Sequence, residues 1–255
     1  MQKRPADSLK PTALVTGGRG GIGLAICSRL AREGWNVVSV DYGPADTDGE
    51  GLMLTADLAT RQGNLASVDT ALAHFGRLDA IIPVAGFQSV SPIQDFDPDT
   101  WDRMLAVMLT SPFLLARASW SSLKVSPLGG RFLPVASAHG LVGSPFKSGY
   151  VAAKHGVVGL TKVLALEGAE FNITATAICP GYVRTPLVEN QIAEQAASHG
   201  IPREKVLSDV LLGAQAVKEL IEPEVIADAV MMLLGPIGPT LTGSTLTMDY
   251  GWTAR

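Results

Sequence analysis

Thr12-Ala13-Leu14-Val15-Thr16-Gly17-Gly18-Arg19-Gly20-Gly21-Ile22-Gly23 decides the fold. The first five residues are a short, β-branched, mostly apolar run that reads as a buried strand. The glycines that follow allow a tight turn. From Gly21 to Glu33 the pattern becomes helical, with Ile22, Ala25, Ile26 and Leu30 on one face. A strand that turns through glycine into a helix gathers backbone N–H groups at the positive end of the helix dipole. That arrangement suits a pyrophosphate. Gly17, Arg19, Gly21, Ile22 and Gly23 are the expected contacts of this loop.

The same alternation continues outward. Asn36–Val40, Leu52–Thr55, Asp79–Val84, Arg131–Ala136, Ile173–Ile178 and Ser244–Met248 read as further strands. Helical segments lie between them, one opening near Asp97 with Pro98 at its first position, another running from about Ser148 to Glu170. Such spacing predicts an α/β fold: one domain over residues 11–255, with a seven-stranded parallel sheet and helices on both faces. Residues 1–10 are polar and read as a flexible tail, and residues 186–212 break the rhythm where a lid over the ligand crevice is expected.

The chain has 255 residues and a net charge of −4, with its basic residues scattered, so no nucleic-acid partner is expected. No stretch approaches the roughly 18 apolar residues of a membrane span. Cys27 and Cys179 sit in apolar segments and read as free thiols. The four histidines show no metal-ligand spacing, and no metal is expected. A reducing, cytoplasmic setting fits this composition.

The second strand ends in Asp41. An acid there can accept from both adenosine ribose hydroxyls and would repel a 2′-phosphate, which favours NAD over NADP. Arg19 is the dissenting residue: it could reach a 2′-phosphate, face solvent, or touch the pyrophosphate. Asp57, with Leu58 beside it, follows the third strand and either holds the adenine amino group or caps a helix.

Tyr150 and Lys154 stand one turn apart on the long helix, placing an ammonium near a phenol. A phenol titrates near ~10, so acting as a base near neutrality requires about 4 kcal/mol. One positive charge at ~4 Å in an effective dielectric of ~20 supplies that much. Tyr150 is thus a candidate general acid/base. Ser137, at the end of the fifth strand, could hydrogen-bond a substrate oxygen.

Together, Thr16-Gly-x-x-x-Gly21-Ile22-Gly23, Asp41, Ser137, Tyr150-x-x-x-Lys154 and Pro180-Gly181 resemble the short-chain dehydrogenases/reductases. The resemblance runs from about Leu9 to Trp252. It implies a Rossmann fold, a nicotinamide cofactor and a homotetramer, a state to which the small residues Ala152, Ala153 and Gly156 would also contribute. It gives Tyr150 the proton, Ser137 the substrate oxygen, and Lys154 the nicotinamide ribose. By the same resemblance Ala85 and Gly86 border the cofactor, Pro180 and Gly181 lie against it, and Val183 and Thr185 meet the nicotinamide carboxamide.

Three further stretches, residues 136–142, 150–159 and 178–189, resemble the bacterial D-3-hydroxybutyrate dehydrogenase branch, as does the ending from Asp249 to Ala254. That branch implies carboxylate contacts from Gln88, His139, Lys147 and Gln191. The expected reaction interconverts a small 3-hydroxy acid and its 3-keto acid. The alternatives are another secondary alcohol or ketone, or an NAD-binding homologue with impaired chemistry.

Three positions depart from the family pattern. Pro83-Val84-Ala85-Gly86 stands where the family has Asn-Asn-Ala-Gly. Pro134 falls inside the fifth strand; proline cannot donate a ladder hydrogen bond, so it fits a central strand poorly unless a bulge is present. Met108 replaces the family's catalytic asparagine, and a thioether cannot donate a hydrogen bond. In the family that residue helps hold a water that relays protons from the lysine, so either another group holds the water, turnover slows, or the reaction is lost.

Overall fold

The computed structural model describes residues 10–43, 51–186, 188–189, 192 and 202–254, without the side chains of 208–210. The first strand, β1 (Thr12–Thr16), lies at the centre of a six-stranded sheet. Its neighbours are β2 (Asn36–Asp41) and β4 (Ala80–Pro83). The edges are β3 (Leu52–Thr55) on one side, and β5 (Arg131–Phe132) followed by β6 (Thr174–Ala175) on the other. Every pairing is parallel, in the order β3-β2-β1-β4-β5-β6.

Both faces are covered, which is why β1 reads as continuous apolar sequence rather than alternating. Ala13 and Val15 join a core with α1 (Gly21–Arg32) and a C-terminal helix (Pro223–Leu234). Leu14 joins the opposite core with α2 (Arg61–Phe75) and two later helices (Ser111–Lys124 and Ser148–Gly168). In chain order these are α3 (Pro98–Leu105), α4 (Ser111–Lys124), α5 (Ser148–Gly168) and α6 (Pro223–Leu234). The chain reverses its winding between β1 and β4, so the crevice of the sheet opens there, at the strands' carboxyl ends.

The expected seventh strand does not join the main ladder. It forms β8 (Thr245–Met248), paired with β7 (Ala177–Pro180) as a two-stranded sheet. Pro134 supplies the physical reason. Ile178 N–H donates to the Pro134 carbonyl at 3.0 Å, and Ala136 N–H to the Ile178 carbonyl at 2.7 Å. Between them, Pro134 has no N–H to give, so the ladder breaks after Phe132 and only a bridge from Val135 to Ile178 spans the gap.

The expected helix start near Asp97 is α3, where the Asp97 carboxylate accepts from Thr100 N–H and Pro98 takes the first turn. Of the expected lid, the described apolar residues Val188, Ile192, Val206, Leu211 and Leu212 form a small cluster of their own with Leu220. The expected flexible tail, residues 1–9 with Lys10 excepted, lies outside the described residues. Ala153 is fully buried, and Gly156 lets α5 lie against Leu109 of the same chain. Ala153 and Gly156 therefore pack within the chain.

Candidate active site

A cavity of about 670 Å³ runs along the carboxyl ends of the strands. Gly17, Gly21 and Ile22 line it, and Asp41 lines it from the end of β2. Gly17 has φ +66°, and a Cβ there would stand 2.9 Å from the Ala85 Cα. At Gly23 a Cβ would stand 2.0 Å from the Gly17 carbonyl oxygen. Gly23 therefore lets the first turn of α1 close on the loop, and it does not line the cavity. Only bare backbone fits between β1 and the loop after β4, which keeps the helix N-terminus open to an anion.

Asp41 organises this loop. Its carboxylate accepts Arg19 N–H at 3.0 Å and Tyr42 N–H at 2.8 Å. The Arg19 guanidinium turns away from the cavity and donates to the Gly43 carbonyl and, at 3.1 Å, to Thr55 Oγ1. Asp57 both lines the cavity and accepts Ala59 N–H at 3.0 Å, while Thr60 caps α2. Leu58 lies beside it on the wall. Arg103, which the sequence reading passed over, also lines the cavity, 3.4 Å from Asp57 and 5.3 Å above the Tyr42 ring. Its helical spacing gave no sign of this.

The missing asparagines after β4 have a substitute. Thr16 Oγ1 accepts N–H bonds from both Val84 and Ala85, each at 3.1 Å. One hydroxyl at the end of β1 thus holds the Pro83-to-Gly86 turn, and Ala85 and Gly86 line the cavity. Pro180, Gly181, Val183 and Thr185 line it after β7.

Ser137, Tyr150 and Lys154 meet on the same wall. Ser137 follows the broken fifth strand, and Tyr150 and Lys154 come from the first two turns of α5. Burial pushes the Tyr150 phenol's pKa up, and hydrogen bonding to Ser137 pulls the other way. Lys154 Nζ is 5.6 Å from the Tyr150 ring centre and donates to the Val135 carbonyl at 2.8 Å. Burial brings its pKa down to about 8. The lysine is thus turned to the strand, and burial of the phenol dominates over the expected downward pull of the ammonium.

Gln88, His139 and Lys147 also line the cavity, whereas Gln191 lies outside the described residues. His139 is buried, and burial together with Lys147 and His155 lowers its pKa to about 4. Its ring stands edge-on to Tyr150, with centres 5.7 Å apart, and to Trp252, at 4.8 Å. Tyr182 stacks on Trp252 at 5.5 Å, and Lys147 Nζ lies 5.8 Å from the Tyr182 ring. Tyr182 and Trp252 both line the cavity. They were not chosen from the sequence, although an aromatic in the short tail after β8 was a signal. Met108 is buried with Met104, Ala153 and Tyr150, on a π-helical turn (Ala106–Thr110) between α3 and α4.

A family model described as short chain dehydrogenase matches residues 11–196. The chain belongs to the short-chain dehydrogenase family. It is an oxidoreductase, and dehydrogenases of this family generally use NAD or NADP. The chain is 43% identical to the D-beta-hydroxybutyrate dehydrogenase of Rhizobium meliloti, over 96% of this chain and 99% of that one. It is 39% identical to the protein of the same name from Cupriavidus necator, over 96% and 98%. Among solved structures, levodione reductase superposes with a TM-score of 0.86 at 29% identity, covering 99% of this chain and 100% of that one. Among the described residues, no helix is long and apolar enough to cross a membrane.

Proposed function

We propose that this short-chain dehydrogenase interconverts a small 3-hydroxy acid and its 3-keto acid, of the D-3-hydroxybutyrate and acetoacetate type, with NAD as hydride partner. One observation carries this reading. Gln88, His139 and Lys147 share a cavity wall with Ser137 and Tyr150. An ammonium beside neutral donors suits a carboxylate, and the partial burial that lowers the Lys147 pKa also strengthens its attraction for an anion. The two relatives named D-beta-hydroxybutyrate dehydrogenase support the same substrate.

NAD fits the residues present. Gly17, Gly21 and Ile22 would hold its pyrophosphate and Asp41 its adenosine ribose, with Asp57 and Leu58 near the adenine. The Asp41 carboxylate disfavours a 2′-phosphate. Lys154 would hold the second ribose, and Val183 and Thr185 the carboxamide. When bound, NAD supplies the ring that accepts the hydride from the carbinol carbon. Tyr150 takes the hydroxyl proton while Ser137 hydrogen-bonds the same oxygen, and in the reverse direction Tyr150 returns that proton to the ketone. Lys147 and Gln88 fix the carboxylate beside the His139 ring, and Gln191 from the lid would complete the set.

The test is NADH formation from D-3-hydroxybutyrate by the native protein and by Tyr150→Phe. Equal rates refute the reading. The stacked Tyr182 and Trp252 rings favour a second reading, a neutral cyclic or secondary alcohol; activity on such alcohols that survives Lys147→Ala would establish it. We also infer a homotetramer in the cytoplasm. The exposed Val163 and Leu166 of α5 and the two buried free cysteines support these, and light scattering tests the first.

A further inference from the structure

Met108 puts a thioether on the lysine side of Tyr150, where a side chain able both to donate and to accept would help hold a water that relays protons. Its thioether is buried against Gly86, where a Cβ would stand 3.0 Å from the sulfur, and it donates nothing. Lys154 Nζ commits one of its donors to the Val135 carbonyl. Beside the phenol the structure holds a line of exchangeable groups that begins at Ser137, which lines the same cavity as Tyr150. Hydrogen bonding to Ser137 draws the Tyr150 phenol's pKa down against the push of burial. Ser137 Oγ lies 3.4 Å from His139 Nδ1. His139 Nε2 lies 2.9 Å from Ser144 Oγ. Ser137 and His139 are buried, while Ser144 is partly exposed.

We propose that His139 relays the Tyr150 proton to solvent through Ser137 and Ser144, replacing the route that Met108 closes. This rests on Tyr150 being the acid/base of the proposed reaction. In ketone reduction, Tyr150 gives its proton to the substrate oxygen and becomes phenoxide. Ser137 then donates its proton to the phenoxide and takes the one on His139 Nδ1. Nε2 takes the Ser144 proton, and Ser144 takes one from water. One proton enters from solvent and one leaves in the product alcohol, while the imidazole keeps its charge and changes tautomer. Oxidation runs the same chain outward. Imidazole suits this role because it carries a donor on one nitrogen and an acceptor on the other. Burial keeps it neutral at neutral pH.

His139→Gln preserves hydrogen bonding but cannot shuttle a proton. Stopped-flow NADH formation from 3-hydroxybutyrate should show kcat reduced by about tenfold or more, in excess of any change in KM. Adding Met108→Asn to His139→Gln should recover most of that kcat, whereas Met108→Asn alone should leave the rate nearly as it was. A loss confined to KM, or a double variant no faster than His139→Gln, overturns the relay. Ser144→Ala provides a second measurement at a site outside the core, and it should lower kcat with an enlarged solvent isotope effect. An unchanged kcat there also counts against the proposal. If the native protein oxidises neutral alcohols but not 3-hydroxybutyrate, the substrate reading fails. The same variants compared on that alcohol still decide the relay.

Discussion

Lys154 Nζ reaches 2.8 Å to the carbonyl of Val135, so the buried ammonium on α5 is tied to the strand residue just past Pro134. The bond joins the helix that carries Tyr150 to the point where the main ladder breaks. Burial costs the charged form, and the lysine pKa falls to about 8. Lys154→Met keeps the length of the side chain and removes the charge. It should abolish turnover, by more than about a hundredfold in kcat/KM, yet melt no lower than the native protein, because a buried charge is replaced by apolar packing. A melting temperature below native would mean that the bond to Val135 outweighs the cost of burial.

Lys147→Ala separates the two substrate readings. For a 3-hydroxy acid the carboxylate loses its cation, and KM should rise about tenfold or more. Neutral secondary alcohols should be unaffected. Steady-state kinetics on both substrates measure this, and equal losses on both would remove Lys147 from carboxylate binding.

Asp41→Ala should weaken NAD by about ten- to a hundredfold, the usual loss for hydrogen bonds to a charged acceptor. The carboxylate that disfavours a 2′-phosphate goes at the same time, so NADP should gain relative to NAD. Because Asp41 also anchors Arg19 N–H, the variant should loosen the glycine loop. Titration of each dinucleotide by NAD(P)H fluorescence checks the ratio. An unchanged preference would show that Asp41 only shapes the turn.

His139 predicts an acid-side loss of stability. Its folded pKa is about 4, against an ordinary value of 6.5. Below pH 6.5 the unfolded chain takes up a proton that the folded protein refuses until pH approaches 4. Stability therefore falls as pH drops through that window, by about 2 kcal/mol at pH 5 from this group alone. Urea midpoints at pH 7 and pH 5 measure it, and His139→Gln should flatten the difference. If the native and variant curves run parallel, the imidazole is not held neutral by the fold.

Gly23→Ala should destabilise by about 2 kcal/mol or more, because its methyl would meet the Gly17 carbonyl at 2.0 Å. Gly20→Ala meets nothing within 4 Å and should be nearly neutral. The pair compares loop glycines in the same motif by thermal melting.

Local pattern was enough for much of this protein. The β1–glycine–α1 passage, the strand ends bearing Asp41 and Ser137, and the one-turn spacing of Tyr150 and Lys154 all depend on neighbours close in sequence. Backbone sterics and side-chain period act at that range, so the α/β class and the main cavity-lining positions could be read directly. Long-range contacts decided the rest. Pro134 announced a disturbance, but only the register against Ile178 turned it into a six-stranded sheet with a separate β7–β8 pair. Thr16 replaced the absent asparagines because β1 ends where the turn after β4 passes. Arg103, Tyr182 and Trp252 joined the cavity from three distant segments. Arg19, named in the loop, turned out of it because Gly43 and Thr55 offered acceptors. Which way Lys154 turns, and which groups surround His139, follow from packing between elements far apart in the chain, where burial and partner geometry outweigh any local preference.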